Sequence, residues 1–220
     1  MQNKNIAYIA ELNLNSKSAY KHQVLKMCDA FAQSGFNVSL YVINRENINF
    51  KILKKKYLLK RYFKIVSTFH FIKKLNFIFR FFFVIKLFFI LKNKNELIYS
   101  RSTMASIFFS LFGLRNILEI HQPNTGLTKI LFNIFKENFI IKHTKIVVIN
   151  KNLIKHFRLK KNSYLVADDG VDLLDFKKKY PIKYYSTCVY TGSLHSGKGI
   201  EIIINLARKL PNIDFYVYGN

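Results

Sequence analysis

Cysteine and acidic side chains are what this sequence has little of. Its 220 residues hold two cysteines, Cys28 and Cys188, far apart and without partners at metal-ligand spacing. That excludes a thiolate metal site and leaves both thiols to be read as small buried hydrophobes of a reducing compartment. Only 12 Asp and Glu stand against 36 Lys and Arg, a net charge of +24 that points to nucleic acid or an anionic membrane as partner. Lys, Asn, Ile, Phe and Tyr dominate together and share A/T-rich codons, so part of the excess reflects base composition; the membrane reading stays and the nucleic-acid one is discounted. H-E-x-x-H, G-x-S-x-G and Cys-His clusters are all missing, which removes support for metal and serine hydrolases. A long uncharged run is missing too. Within FHFIKKLNFIFRFFFVIKLFFILKNK no charge-free stretch reaches half of the roughly 20 residues a membrane span needs. The start, MQNKNIAYIAEL, has too short an apolar run for a secretory signal, and polar residues rather than a cleavage site follow it, so a cytoplasmic protein is expected.

Half of the residues are hydrophobic and 16% are aromatic, which excludes intrinsic disorder and supports a real core. The length allows one substantial domain and a remainder. Residues 6–12 read as a strand, and 13–18 as a polar loop. Tyr20, Val24, Met27, Cys28 and Phe31 recur at helical spacing, Gly35 stops the helix, and 38–43 form a buried strand. This βαβ order implies a parallel sheet covered by helices. Residues 44–95 have the least usual composition. There Lys73, Asn76 and Arg80 share one helical face and Phe, Ile and Leu fill most of the rest, describing either a core helix whose lysines reach water or a helix lying on a membrane.

The α/β rhythm resumes at ELIYS, a strand. A helix over 103–112 ends at Gly113; NILEIH is a strand, 127–142 a helix, KIVVIN a strand, 151–157 a short helix and SYLVA a strand. Polar DDGVDLLDF and the solvated connector KKKYPIKYY follow. The pattern then restarts with the strand STCVYTG, a loop, a helix marked by Ile200, Ile203, Ile204, Ala207 and Leu210, and the strand DFYVYG. A lone βαβ of this size buries too little to stand alone, so a further segment beyond residue 220 is expected. The domain reading is 1–167, a hinge over 168–185, and 186–220.

Four places could carry chemistry. The loop SLHSGKG joins a strand to a helix start, where free N–H groups favour phosphate; Gly192, Gly197 and Gly199 allow close approach and Lys198 adds a point charge. The same pattern is also an ordinary helix entry, and its spacing is not that of a Walker A loop. His121 follows a parallel strand, at the edge where open α/β sheets bind ligands, and Arg101 ends the preceding strand; the bland alternatives are a solvated histidine and a surface ion pair. Asp168, Asp169 and Asp172 could suggest a hard cation, but Gly170 makes a turn the better reading.

Taken in order, VVINKNLIKHF, YLVADDGVDLLDF and VYTGSLHSGKGIEIIINLARKLPNIDFYVYGN, with IYSRS and LEIHQP upstream, resemble the retaining glycosyltransferases of family four, also called group one. The resemblance covers nearly all of the chain. It implies a GT-B type α/β fold, with a complete N-terminal Rossmann-like domain followed by an incomplete second one. It implies transfer of a sugar, with retention, from a UDP- or GDP-linked donor to a surface polysaccharide or lipid-linked acceptor, with no cofactor and no obligatory metal. By the same resemblance Gly192, Ser193, Lys198 and Gly199 would hold the donor diphosphate and stabilise the leaving group. His121 would meet the sugar, and Asn15, Ser16, Ser18 and Arg101 would contact the acceptor or line the cleft. Residues 57–94 would dock peripherally on the anionic inner face of the cytoplasmic membrane. Four departures alter this picture: Ser193 stands where many members carry Arg, NLNSKS replaces a glycine-bearing first loop, the hinge has Asp168 and Asp169 where Pro and Asn are usual, and the family's E-x₇-E segment would lie after residue 220. The alternative is a catalytically dead fragment or a binding subunit completed by another polypeptide.

Overall fold

The computed structural model describes residues 4–14, 18–43, 49–68, 77–170 and 186–219. The chain divides into two compact units, Met1–Asp169 and Gly170–Asn220.

The first unit is a seven-stranded parallel sheet flanked by helices. Its elements run β1 (Asn5–Ala10), α1 (Ala19–Gln33), β2 (Asn37–Val42), α2 (Phe50–Tyr57), β3 (Lys64–Ser67), α3 (Phe77–Leu91), β4 (Leu97–Ser100), α4 (Thr103–Leu111), β5 (Asn116–Ile120), α5 (Gly126–Phe135), a π-helical turn over Lys136–Ile140, α6 (Ile141–His143), β6 (Thr144–Val148), α7 (Lys151–Phe157) and β7 (Tyr164–Val166). The strand order is β3-β2-β1-β4-β5-β6-β7. Direction of growth therefore reverses between β1 and β4, where Tyr8 pairs with Leu40 on one side and Tyr99 on the other. In open sheets of this kind that reversal opens a crevice at the carboxyl ends of the strands.

Being covered on both faces, the central strands are nearly continuous in apolar residues, and all of 6–10 are buried. One face packs Tyr8, Leu40 and Tyr99 against Val24, Leu25 and Cys28 of α1 and Leu53 of α2. The other packs Ala7, Ile9 and Ile98 against Phe83, Val84 and Leu87 of α3 and Phe109 of α4. Farther along, Leu118, Ile120, Ile146 and Val148 meet Phe132 of α5 and Phe157 of α7. Each large side chain buried in this way contributes roughly 1.5–3 kcal/mol. Local chemistry sets the element ends. The Ser18 oxygen caps α1 by accepting from the Lys21 N–H, and Gly35, at φ +88°, closes it in the left-handed region. Buried Asp29 is satisfied by the N–H groups of Lys60 and Arg61 and by Gln33, which ties the segment after α2 to α1. Cys28 is fully buried, as expected of a small hydrophobe, whereas Cys188 is half-buried.

Two sequence expectations change, and one lies largely outside the described residues. The Lys- and Phe-rich stretch contains α2 and β3, neither of which was anticipated. Lys73 and Asn76 lie outside the described residues; of that supposed face only Arg80 is placed, on α3. On that helix Phe83, Val84, Leu87 and Leu91 are core, as the core reading expects, while Ile78, Phe82 and Phe89 are more than half exposed. Finally, 127–142 is not one helix, because the π-helical turn interrupts it. Among the described residues no helix is long and apolar enough to cross a membrane.

The second unit holds β8 (Thr187–Thr191), α8 (Ile200–Lys209) and β9 (Asp214–Tyr218), with the two strands parallel and paired from Thr187–Asp214 to Thr191–Tyr218. None of its described side chains is buried.

Candidate functional site

A cavity of about 440 Å³ opens at the carboxyl ends of β1, β4 and β5, beside the strand-order reversal. Each strand delivers one or two polar residues to it just as its ladder ends: Glu11 after β1, Arg101 and Ser102 after β4, Glu119 and His121 around the end of β5. Helix α3 adds Arg80.

Glu119 is the electrostatic centre. It points from a strand otherwise made of Ile, Leu and Asn, is 5% exposed, and shares its sheet face with Tyr8 and Tyr99, whose rings stack 5.2 Å apart. Burial pushes its carboxyl pKa up. The hydrogen bond from His121, the charge of Arg101 and the Tyr99 hydroxyl outweigh that push and hold it below the ordinary range, so it is ionised at neutral pH. Burial raises both tyrosine pKa values, with Glu119 adding to the effect, so the phenols stay protonated. The Tyr8 hydroxyl approaches Glu119 at 3.5 Å.

The tautomer of His121 follows. An ionised carboxylate only accepts, so the Nε2 that bonds Glu119 must carry the proton. In the neutral ring the opposite nitrogen, Nδ1, is the acceptor; it lies 3.8 Å from the Asp169 carboxylate that follows β7. At that separation the two do not bond directly. Nδ1 of the neutral ring can accept from a donor such as a ligand hydroxyl.

The rest of the cavity is similarly fixed. Arg101 donates to Gln23 at 3.3 Å and lies 4.5 Å above the Tyr20 ring. Buried Ser102 caps α4 through its bond from the Ala105 N–H at 3.0 Å and bonds Glu11, which in turn pairs with Arg80 at 3.3 Å. The cavity thus presents two carboxylates, two guanidinium groups and an oriented imidazole, a wall that suits a ligand rich in hydroxyl groups.

Glu119, His121 and Asp169 can each bring a ligand atom within 4.8 Å of the others. The ring meets the two carboxylates through opposite nitrogens, so a single ion could be held by all three only if the imidazole abandoned Glu119.

His121 and Arg101, both expected in the cleft, line this one cavity. Ser18 instead spends its side chain capping α1, and Asn15 and Ser16 lie outside the described residues, as does Asp172. Gly192, Ser193, Lys198 and Gly199 belong to the second unit. There the Tyr190 hydroxyl donates to the carbonyls of Ser193 and Lys198, at 2.9 and 3.1 Å, and folds the loop onto its strand. Gly199, at φ +89°, is the N-cap of α8 and Lys198 is exposed. A Cβ on Gly219 would fall 1.8 Å from the Gly192 carbonyl, so the loop and the end of β9 meet only because residue 219 is glycine; a Cβ on Gly192 would instead crowd the Tyr190 hydroxyl at 2.9 Å. The helix start already has an anion of its own: the Glu201 carboxylate, whose pKa is lowered first by its own backbone N–H and then by Ser196. Glu11, Arg80 and Glu119 were not anticipated. For Glu119 a signal existed, a lone acid inside an apolar strand two residues before His121.

No protein-family model matches the sequence, and no curated protein matches it by sequence. Solved structures do match by fold. A glycosyltransferase from Rickettsia africae ESF-5 superposes with a TM-score of 0.67 at 12% identity, over 100% of this chain and 60% of that one. Anabaena HepE, in complex with UDP and glucose, superposes with a TM-score of 0.63 at 13% identity, over 96% of this chain and 60% of that one. The chain therefore has the α/β, Rossmann-like fold of these glycosyltransferase structures and spans 60% of their length.

Proposed function

We propose that this chain binds a nucleotide-sugar and serves glycosyl transfer to a surface polysaccharide or lipid-linked acceptor, with retention at the anomeric carbon, as in family four. The observation that carries the reading is the cavity at the strand-order reversal. It holds an imidazole whose tautomer is fixed by Glu119, and it sits in a fold shared with glycosyltransferases. His121 Nδ1 accepts from a sugar hydroxyl and Arg101 offers positive charge beside it. Lys198, with the N–H groups around Gly192, Ser193 and Gly199, receives the diphosphate of a UDP- or GDP-linked donor and stabilises the charge that develops as the sugar leaves. The same reading has residues 57–94 resting on an anionic membrane, the exposed Phe82 and Phe89 of α3 entering it.

A second reading, a binding subunit without turnover that another polypeptide completes, is favoured by Glu201, whose carboxylate competes for the helix start that a donor phosphate needs. Nucleotide release from UDP- and GDP-sugars in the presence of a lipid extract separates the two. Release that His121→Ala lowers by tenfold or more, with the product's anomeric configuration preserved by NMR, supports the transferase. Binding with no release supports the subunit.

A further inference from the structure

A second cavity, about 450 Å³, lies in the first unit along α5 and the end of α7. Its wall has one chemical character. Asn124, Lys129, Asn133, Lys136, His156 and Arg158 line it above the ring of Phe157, and no acidic residue does. Every one of those polar side chains can donate a hydrogen bond, and three carry a fixed positive charge. Lys136 is compensated: its side chain is only 13% exposed, Nζ donates to the last carbonyls of α7 at Phe157 and Arg158, and Glu137 lies 3.4 Å away. Glu137 is itself engaged by Lys160 at 2.8 Å. No ion pair reaches Lys129 or Arg158 among the described residues. The Nδ2 of Asn124 is buried with no partner, although its Oδ1 accepts from Thr103. A concave site that gathers two cations without an ion-pair partner and a spare amide donor, with no carboxylate in its lining, is complementary to an anion with several acceptor oxygens.

We infer that this cavity is a binding site for a phosphate group, separate from the His121 cavity, with which it shares only Asn124. A guanidinium and an ammonium facing one concavity match a tetrahedral phosphate better than a single carboxylate. The phosphate can come from a soluble anion or from a lipid. Alongside the cationic face of α5 runs an exposed ridge of Leu127, Ile130 and Ile134, which a lipid-borne phosphate would also engage.

The test uses the whole chain carrying Lys198→Ala, so that the proposed donor-diphosphate loop does not take up the probe, with inorganic pyrophosphate in a calorimetric titration and, separately, sedimentation with vesicles of phosphatidylcholine alone or mixed with phosphatidate. Arg158→Gly is the informative variant. Arg158 sits in the left-handed region at φ +48°, so glycine keeps the backbone while deleting the cation. Lys129→Gln is its companion, and Lys54→Gln on α2 controls for net charge alone. The expected result is that each of the first two weakens binding roughly tenfold, the loss of about one charge-assisted hydrogen bond, and that Lys54→Gln does not. Pyrophosphate binding lost in these variants identifies a soluble source; phosphatidate-dependent sedimentation lost in them identifies a lipid. Absence of binding to either probe overturns the inference, as does binding that survives Arg158→Gly or falls equally in Lys54→Gln. With Lys198 in place, UDP-sugar binding is expected to persist in Arg158→Gly, so this proposal and the transferase reading fail independently.

Discussion

Replacing His121 with alanine removes a hydrogen bond from a buried charge and has a calculable cost. Glu119 has a side chain only 4% exposed, and its ionised form is sustained against burial chiefly by His121. In wild type its folded-state pKa is depressed. Its contribution to stability is therefore present above the unfolded-state value and is lost as pH falls through the folded one. Without His121 the balance swings toward burial, which favours the neutral acid, so the variant is penalised most where Glu119 must ionise. A hydrogen bond to a charged group contributes about 1.5–3 kcal/mol, so the expected loss at neutral pH is about 2 kcal/mol. For a chain of this size that lowers Tm by roughly 4–8 °C. The deficit should shrink as pH falls toward the carboxyl range, where the variant can protonate Glu119. In a Glu119→Gln background His121→Ala should cost little. Thermal unfolding by circular dichroism on the four proteins of this cycle, across that pH span, provides the numbers. A deficit that is flat with pH and unchanged by Glu119→Gln would refute the coupling.

Further expectations come from other parts of the chain. Ser102→Ala removes both the α4 cap and the partner of Glu11; a loss of about 1–2 kcal/mol in a denaturant titration is expected, and a change under 0.5 kcal/mol contradicts the cap. A chain ending at Asp169 should keep a cooperative thermal transition because all three apolar clusters lie within it, whereas a 170–220 peptide, with no buried side chain among its described residues, should show none. Phe82→Ser with Phe89→Ser should reduce sedimentation with anionic vesicles several-fold while leaving Tm within about 2 °C, since both rings are more than half exposed; undiminished sedimentation removes α3 from membrane contact.

The central α/β alternation was legible because parallel strands covered on both faces are apolar throughout and bounded by Gly35, Gly113 or polar loops. What stayed hidden has identifiable causes. Helix α2 is FKILKKKY, with Leu53 as its one buried side chain, so no apolar stripe announces it. Edge strand β3 is four residues long and only half-buried. The π-helical turn leaves the apolar rhythm of 127–142 continuous while shifting its phase. At the site, His121 and Arg101 could be placed because each directly follows a strand. The pairing of Glu11 with Arg80 and Ser102 joins residues far apart in the chain and leaves no local mark. Tyr8, Tyr99 and Glu119 become one cluster only once β1, β4 and β5 are set side by side.

The central claim, that the chain recognises a nucleotide-sugar, is tested most directly by its thermal stability against a panel of UDP- and GDP-sugars and the free nucleotides, repeated with Lys198→Ala. Ligand at a hundred times its Kd stabilises by about 2.7 kcal/mol, a readily measured rise in Tm. The account predicts such a rise for one nucleotide class and its disappearance in Lys198→Ala. No rise with any member of the panel, or one that Lys198→Ala leaves intact, contradicts it.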